Sequence, residues 1–220
     1  MNKDTRIEIR EKFSKINHTL KDYQAAKDEY KQQVAKIKDQ GRTYTQEHLE
    51  KKMREAQMQL REAGKAALEA MKAQVHDLTA KLIEVDGRPI EAERMQSLSV
   101  AVQLVQTGAL DYKAASQVNQ TFLGDQTELK TLHRAYQQAN LPDGGVNKMI
   151  YPHEIELLPK TIYDTAYGVF IGGDISVNRL ANMIAEVARY WGITDHNWNI
   201  DPSGLVYAAR AAAGLPVDDL

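Results

Sequence analysis

His153-Glu154-Ile155-Glu156 is the stretch whose residue types come nearest to metal chemistry. A helical zinc pair needs a second imidazole four residues on, and position 157 is Leu157. Asp195-His196 with Asp201 offers oxygen and imidazole ligands on a loop, without a defining spacing. Asp174-Ile175-Ser176-Val177-Asn178 starts like a calcium loop, but Arg179 stands where the sixth-position glycine belongs and Ala185 where the closing glutamate belongs. A helix cap accounts for it better. Gly172-Gly173 precedes a helix start, where an anion can rest. No strand leads into that pair, and neither G-x-x-x-x-G-K-[ST] nor G-x-G-x-x-G occurs. G-x-S-x-G is also missing, and the chain has no cysteine, which removes thiolate, disulfide and iron–sulfur chemistry. The reading is a protein that is not an enzyme and needs no cofactor or metal.

Two binding readings remain. Residues 111–139 form two candidate helices around a short turn, with Lys130, His133 and Arg134 on the second. They carry the alternative reading of a DNA-binding regulatory protein. Asp125 and Glu128 sit at the end that would enter a groove, which disfavours nucleic acid as a partner. The aromatic residues Tyr190, Trp191, Trp198 and Tyr207 are candidates for either core or docking on a partner, since Trp and Tyr dominate interface hot spots.

The elements that position these residues fall into two compositional halves. Of 28 Lys+Arg and 30 Asp+Glu, residues 1–88 hold 19 and 15, leaving 9 and 15 for residues 89–220. The first half is thus net positive, has no proline and reads as long surface helices. The second is net negative, holds all 6 prolines and reads as a compact, punctuated domain. No apolar run approaches the ~18 residues that a membrane span needs. The charged start Met1-Asn2-Lys3-Asp4 is unlike a signal peptide, so the expected setting is cytoplasmic, away from membranes.

Ile9, Phe13, Ile16, Leu20, Tyr23, Lys27, Tyr30, Val34 and Ile37 step by alternating fours and threes, a heptad seam in which only Lys27 is charged. The lysine stem can lie along the seam with its ammonium in water. Gly41 suits a helix C-cap, with Thr43 or Thr45 opening the next helix. The second seam runs Leu49, Met53, Ala56, Leu60, Ala63/Gly64, Ala67/Leu68, Met71, Val75, Leu78, Leu82 and Val85. Its spacing slips between Leu60 and Met71, an 11-residue step that predicts local relaxation of a left-handed supercoil. The turn chemistry favours an antiparallel hairpin over one long helix pairing with another copy, and both readings make the seams the coil or oligomer interface.

From Pro89 the helix ends are well marked. One helix spans about 90–106. A second follows the cap Asp111, and a third starts at Asp125 with Glu128 as a capping box. Asn140-Leu141-Pro142-Asp143-Gly144-Gly145 is a loop and a subdomain boundary. Pro152 and Pro159 each fit a first helical turn, Ser176 caps a helix to Trp191, and Asp201-Pro202 starts the last helix. The expected fold is all-α: a long antiparallel coiled-coil helical hairpin over 1–88, a small three-helix bundle over 89–141, and a C-terminal helical domain over 146–220.

A charged coil hairpin such as 22–38 with 45–81, followed by short capped helices such as 125–132, resembles the structural and morphogenesis proteins of tailed bacteriophages, including head scaffolds and minor head components. The acidic end Val217-Asp218-Asp219-Leu220 departs from the basic terminus of many scaffolds, which leaves a mature virion component open. The resemblance implies an assembly protein that oligomerises or spaces partners through its coil and docks on a larger, virion-like assembly, in host cytoplasm or virion.

Overall fold

The structure is a computed structural model that describes residues 1, 3–40, 44–173 and 175–193. Among them the chain is all-helical, with no strands. Two long helices come first, α1 (Lys3–Asp39) and α2 (Gln46–Asp86). Five shorter ones follow: α3 (Ala92–Gln106), α4 (Tyr112–Thr121), α5 (Gln126–Ala139), α6 (Leu158–Tyr167) and α7 (Val177–Tyr190). The expected cap at Gly41 and the last helix from Asp201 lie outside the described residues.

Helices α1 and α2 pack together, and residue numbers rise on one as they fall on the other. Glu8 pairs with Lys81; Lys12 Nζ lies 2.6 Å from Asp77 Oδ2, and Thr19 Oγ1 donates to Gln74 Oε1 at 3.1 Å. Farther along, Gln33 Nε2 reaches Gln59 Oε1 at 3.5 Å. Hydrogen bonds with Glu8 and Glu84 hold the Lys81 ammonium above the ordinary lysine range.

The chain forms two compact units, neither of them a continuous stretch. The first gathers Met1–Glu11, Leu78–Leu158 and, of the described residues, 185–193; the second gathers Lys12–Asp77 and Pro159–Ile184. In the first unit, α3, α4 and α5 share one core around Leu98, Val105, Ala115, Leu129, Leu132 and Tyr136. Asp111 caps α4 as expected, accepting from Ala114 N at 2.7 Å. Asp125, by contrast, makes no side-chain cap bond at α5. Glu128 does not reach back as a capping box does; it turns inward and is buried.

In the second unit α6 runs into a π-helix, Gly168–Gly172, closed by a bond from Gly173 N to Gly168 O at 2.7 Å. Pro159 stands in the first turn of α6, but Pro152 lies in irregular chain ahead of a 3₁₀ turn at Ile155–Leu157. Ser176 Oγ accepts from Arg179 N at 3.2 Å, so α7 is capped as its sequence requires.

Candidate functional site

The seam residues divide into two sets. Ile9, Phe13, Ile16 and Leu20 are fully buried, with Tyr23 nearly so; on α2, Met71, Val75, Leu78 and Leu82 are buried as well. Two helices alone leave each apolar ridge half bare, so this closure needs a third element. In the second unit the π-helix supplies it at Tyr23. The rings of Tyr23 and Phe170 meet edge to face at 4.7 Å, and Tyr23 Oη donates to the carbonyls of Val169 and Phe170 at 3.3 and 3.4 Å. Burial pushes the Tyr23 phenol above its usual pKa. Gly64 makes room, because a Cβ there would lie 2.2 Å from the Phe170 carbonyl oxygen.

Beyond Tyr23 the cover thins. Lys27, Tyr30 and Val34 on α1 are half-buried, as are Leu49, Met53 and Leu60 on α2; Ile37 and Ala56 are buried. Met58 is 62% exposed and Tyr44 45%, the latter stacked on His48 with Lys52 5.1 Å from its ring centre.

Two of the four aromatic docking candidates belong to the core of the first unit. Trp191 is 1% exposed and Tyr190 9%, both packed against the Tyr151 ring at 5.2 and 5.4 Å. A side chain so enclosed has no face to offer a partner. Burial raises the Tyr151 phenol, with a further push from Tyr190. Trp198 and Tyr207 lie outside the described residues. Among the described residues the exposed aromatics are Tyr112, Tyr167 and Tyr44.

The candidate metal and anion motifs lie only in part among the described residues. His153 is exposed, its ring 5.8 Å from that of Tyr151, and Gly172-Gly173 ends the π-helix. Asp174, Asp195, His196 and Asp201 lie outside the described residues. Among the described residues no group of three or more His, Asp or Glu side chains could hold a metal ion, and no helix is long and apolar enough to cross a membrane.

The sequence reading gave no sign that Glu128, Asn119 and Gln126 are buried. Glu128 is 1% exposed and paired through both oxygens with Arg94 of α3, the Nε–Oε1 distance being 3.1 Å. Burial raises its pKa, and the Arg94 bond opposes that rise. Asn119 is fully buried, donating to the Asp143 carbonyl at 2.8 Å and accepting from Tyr136 Oη at 3.4 Å. Gln126 donates to the Tyr190 carbonyl at 2.8 Å and accepts from Tyr151 N at 2.7 Å. Their partners lie on other elements, so no spacing rule points to them.

No protein-family model, no curated protein and no solved structure matches the chain.

Proposed function

We propose that this is a non-enzymatic assembly protein, of the structural or morphogenesis kind found in tailed-bacteriophage particles. Its two long helices act as an antiparallel coiled-coil hairpin that joins or spaces copies and docks on a larger protein assembly, in host cytoplasm or virion. The observation that carries this reading is a contrast along the two seams: 0% exposure at Ile9, Phe13, Ile16 and Leu20 on α1, against half-buried Tyr30 and Val34 on α1 and Leu49, Met53 and Leu60 on α2. An apolar strip at heptad spacing, half-buried where no third element among the described residues covers it, fits the helix of a second copy. The hairpin arrangement is supported by the four cross-helix pairs from Glu8–Lys81 to Gln33–Gln59. The division at 89–141 is supported by the single core that α3, α4 and α5 share.

Light scattering of the full chain over a concentration series tests this. The mass should rise above one chain, and Val34→Lys with Met53→Lys should return it to one chain with helicity unchanged. A single-chain mass at every concentration, or an association that ignores both substitutions, overturns the reading.

A further inference from the structure

Residues 95–110 hold no Asp, Glu, Lys or Arg, the longest such run in a chain that is 26% charged. Most of that run is α3. Its buried ridge, Leu98, Ala101 and Val105, belongs to the core shared with α4 and α5. Glu93, Gln96, Val100, Gln103 and Thr107 step by threes and fours along the opposite side, and all five are exposed. Val100 is 51% exposed and Leu104 beside it 37%. Only Glu93, in the first turn, puts a charge on this stripe.

The polar groups there can be covered at little cost. The Ser97 hydroxyl donates to the Glu93 carbonyl at 3.2 Å and the Thr107 hydroxyl to that of Gln103 at 3.0 Å, so both are served by their own helix. The amides of Gln96 and Gln103 each donate and accept, which matches them to other glutamines. Arg94 turns to Glu128, and Asp111, past the far end, caps α4. An uncharged stripe has nothing to attract a phosphate backbone, an anionic bilayer or a charged peptide. The same stripe on a second copy complements it, apolar to apolar and amide to amide.

Glu93 sets the direction. Parallel copies would place two Glu93 carboxylates side by side. Antiparallel copies crossing at Val100 hold them roughly 21 Å apart, beyond the Debye length of about 8–10 Å. The strip is about 22 Å long and about 10 Å wide, a footprint of roughly 220 Å² a side against the ~800 Å² of a standard interface. It is too small to hold two chains alone and serves copies already gathered by the coil, so its use rests on the function proposed above.

We infer that α3 is a second contact between copies of this chain, packed antiparallel on its own counterpart across a two-fold axis at Val100.

The chain has no cysteine, so an introduced one reports on itself alone. Full-length Val100→Cys, Glu93→Cys and Thr107→Cys are each treated with a mild oxidant and run on non-reducing gels, with helicity checked by circular dichroism. Val100→Cys should form a covalent pair. Glu93→Cys and Thr107→Cys should not, because each lies roughly 21 Å from its counterpart and a disulfide spans about 7 Å at most between Cα atoms. Mixed together, those two should crosslink to one another. No Val100 crosslink in a folded protein assigns the face to some other partner and overturns the inference; so does equal crosslinking at all three positions. The Val34→Lys, Met53→Lys background separates the two readings. A Val100 crosslink formed there at the yield seen without those changes would sink the coil reading and leave this one standing. A chain that associates through its coil and gives no Val100 crosslink does the reverse.

Discussion

Gly64→Ala puts the packing of the π-helix on α2 to a quantitative test. In an open helix interior this change stabilises by about 1 kcal/mol, because alanine loses less backbone entropy than glycine. Here the added methyl would meet the Phe170 carbonyl oxygen at 2.2 Å and its carbon at 3.2 Å. Carbon and oxygen tolerate approach to about 3.3 Å, so the π-helix must retreat by about 1 Å. Overpacking of this kind costs about 1–3 kcal/mol. The retreat also stretches the Tyr23 Oη bonds, already 3.3 and 3.4 Å long, and weakening a buried carbonyl's bond adds about 1 kcal/mol. After the propensity gain, a net loss of about 2 kcal/mol remains, or roughly 4–8 °C in Tm for a chain of this size. Circular dichroism at 222 nm during a thermal ramp reads it directly. Tyr23→Phe should cost about 1 kcal/mol alone, and the double variant less than the sum, because the first change has already displaced the shared carbonyls. A rise in Tm for Gly64→Ala, or strict additivity with Tyr23→Phe, would refute this packing.

Further predictions concern the first unit. Burial raises the Glu128 pKa above its unfolded value, so its contribution to stability is fully present below that unfolded value and declines as pH rises through the folded one. Urea unfolding of wild type and Glu128→Gln at pH 4 and pH 7 should therefore show wild type losing ground relative to the variant at the higher pH; a gap independent of pH contradicts an inward-facing carboxyl. Asn119→Leu strips partners from the Asp143 carbonyl and the Tyr136 hydroxyl together and should cost about 2–4 kcal/mol in the same assay. A change under 1 kcal/mol would mean the two groups find other partners. Asp111→Ala removes the α4 cap and should cost about 1 kcal/mol, with Asp111→Asn restoring most of it.

What was legible in the sequence is what depends on neighbours along the chain. The alternation of fours and threes from Ile9 to Tyr23 marks a buried face because a helix brings those side chains to one side, and all five are enclosed. Asp111 and Ser176 cap their helices through amides three residues on, a reach that any sequence displays. The slip from Leu60 to Met71 marks a real departure, but its meaning lies elsewhere in the chain. Local periodicity interprets it as an adjustment of supercoil; in the folded protein Gly64, within that step, also receives the backbone of Phe170.

Glu128 teaches the same lesson in charge. Three residues after Asp125 it has the spacing of a capping box, and on an isolated helix it would repel a phosphate. Arg94, 34 residues earlier, draws it into the core instead. The consequence reaches beyond that pair, because it takes one acid off the surface of α5, on which Lys130 and Arg134 are exposed. The pattern of residues thus fixes which face of a helix is apolar, whereas the character of its polar face depends on long-range partners that decide which charges remain in water.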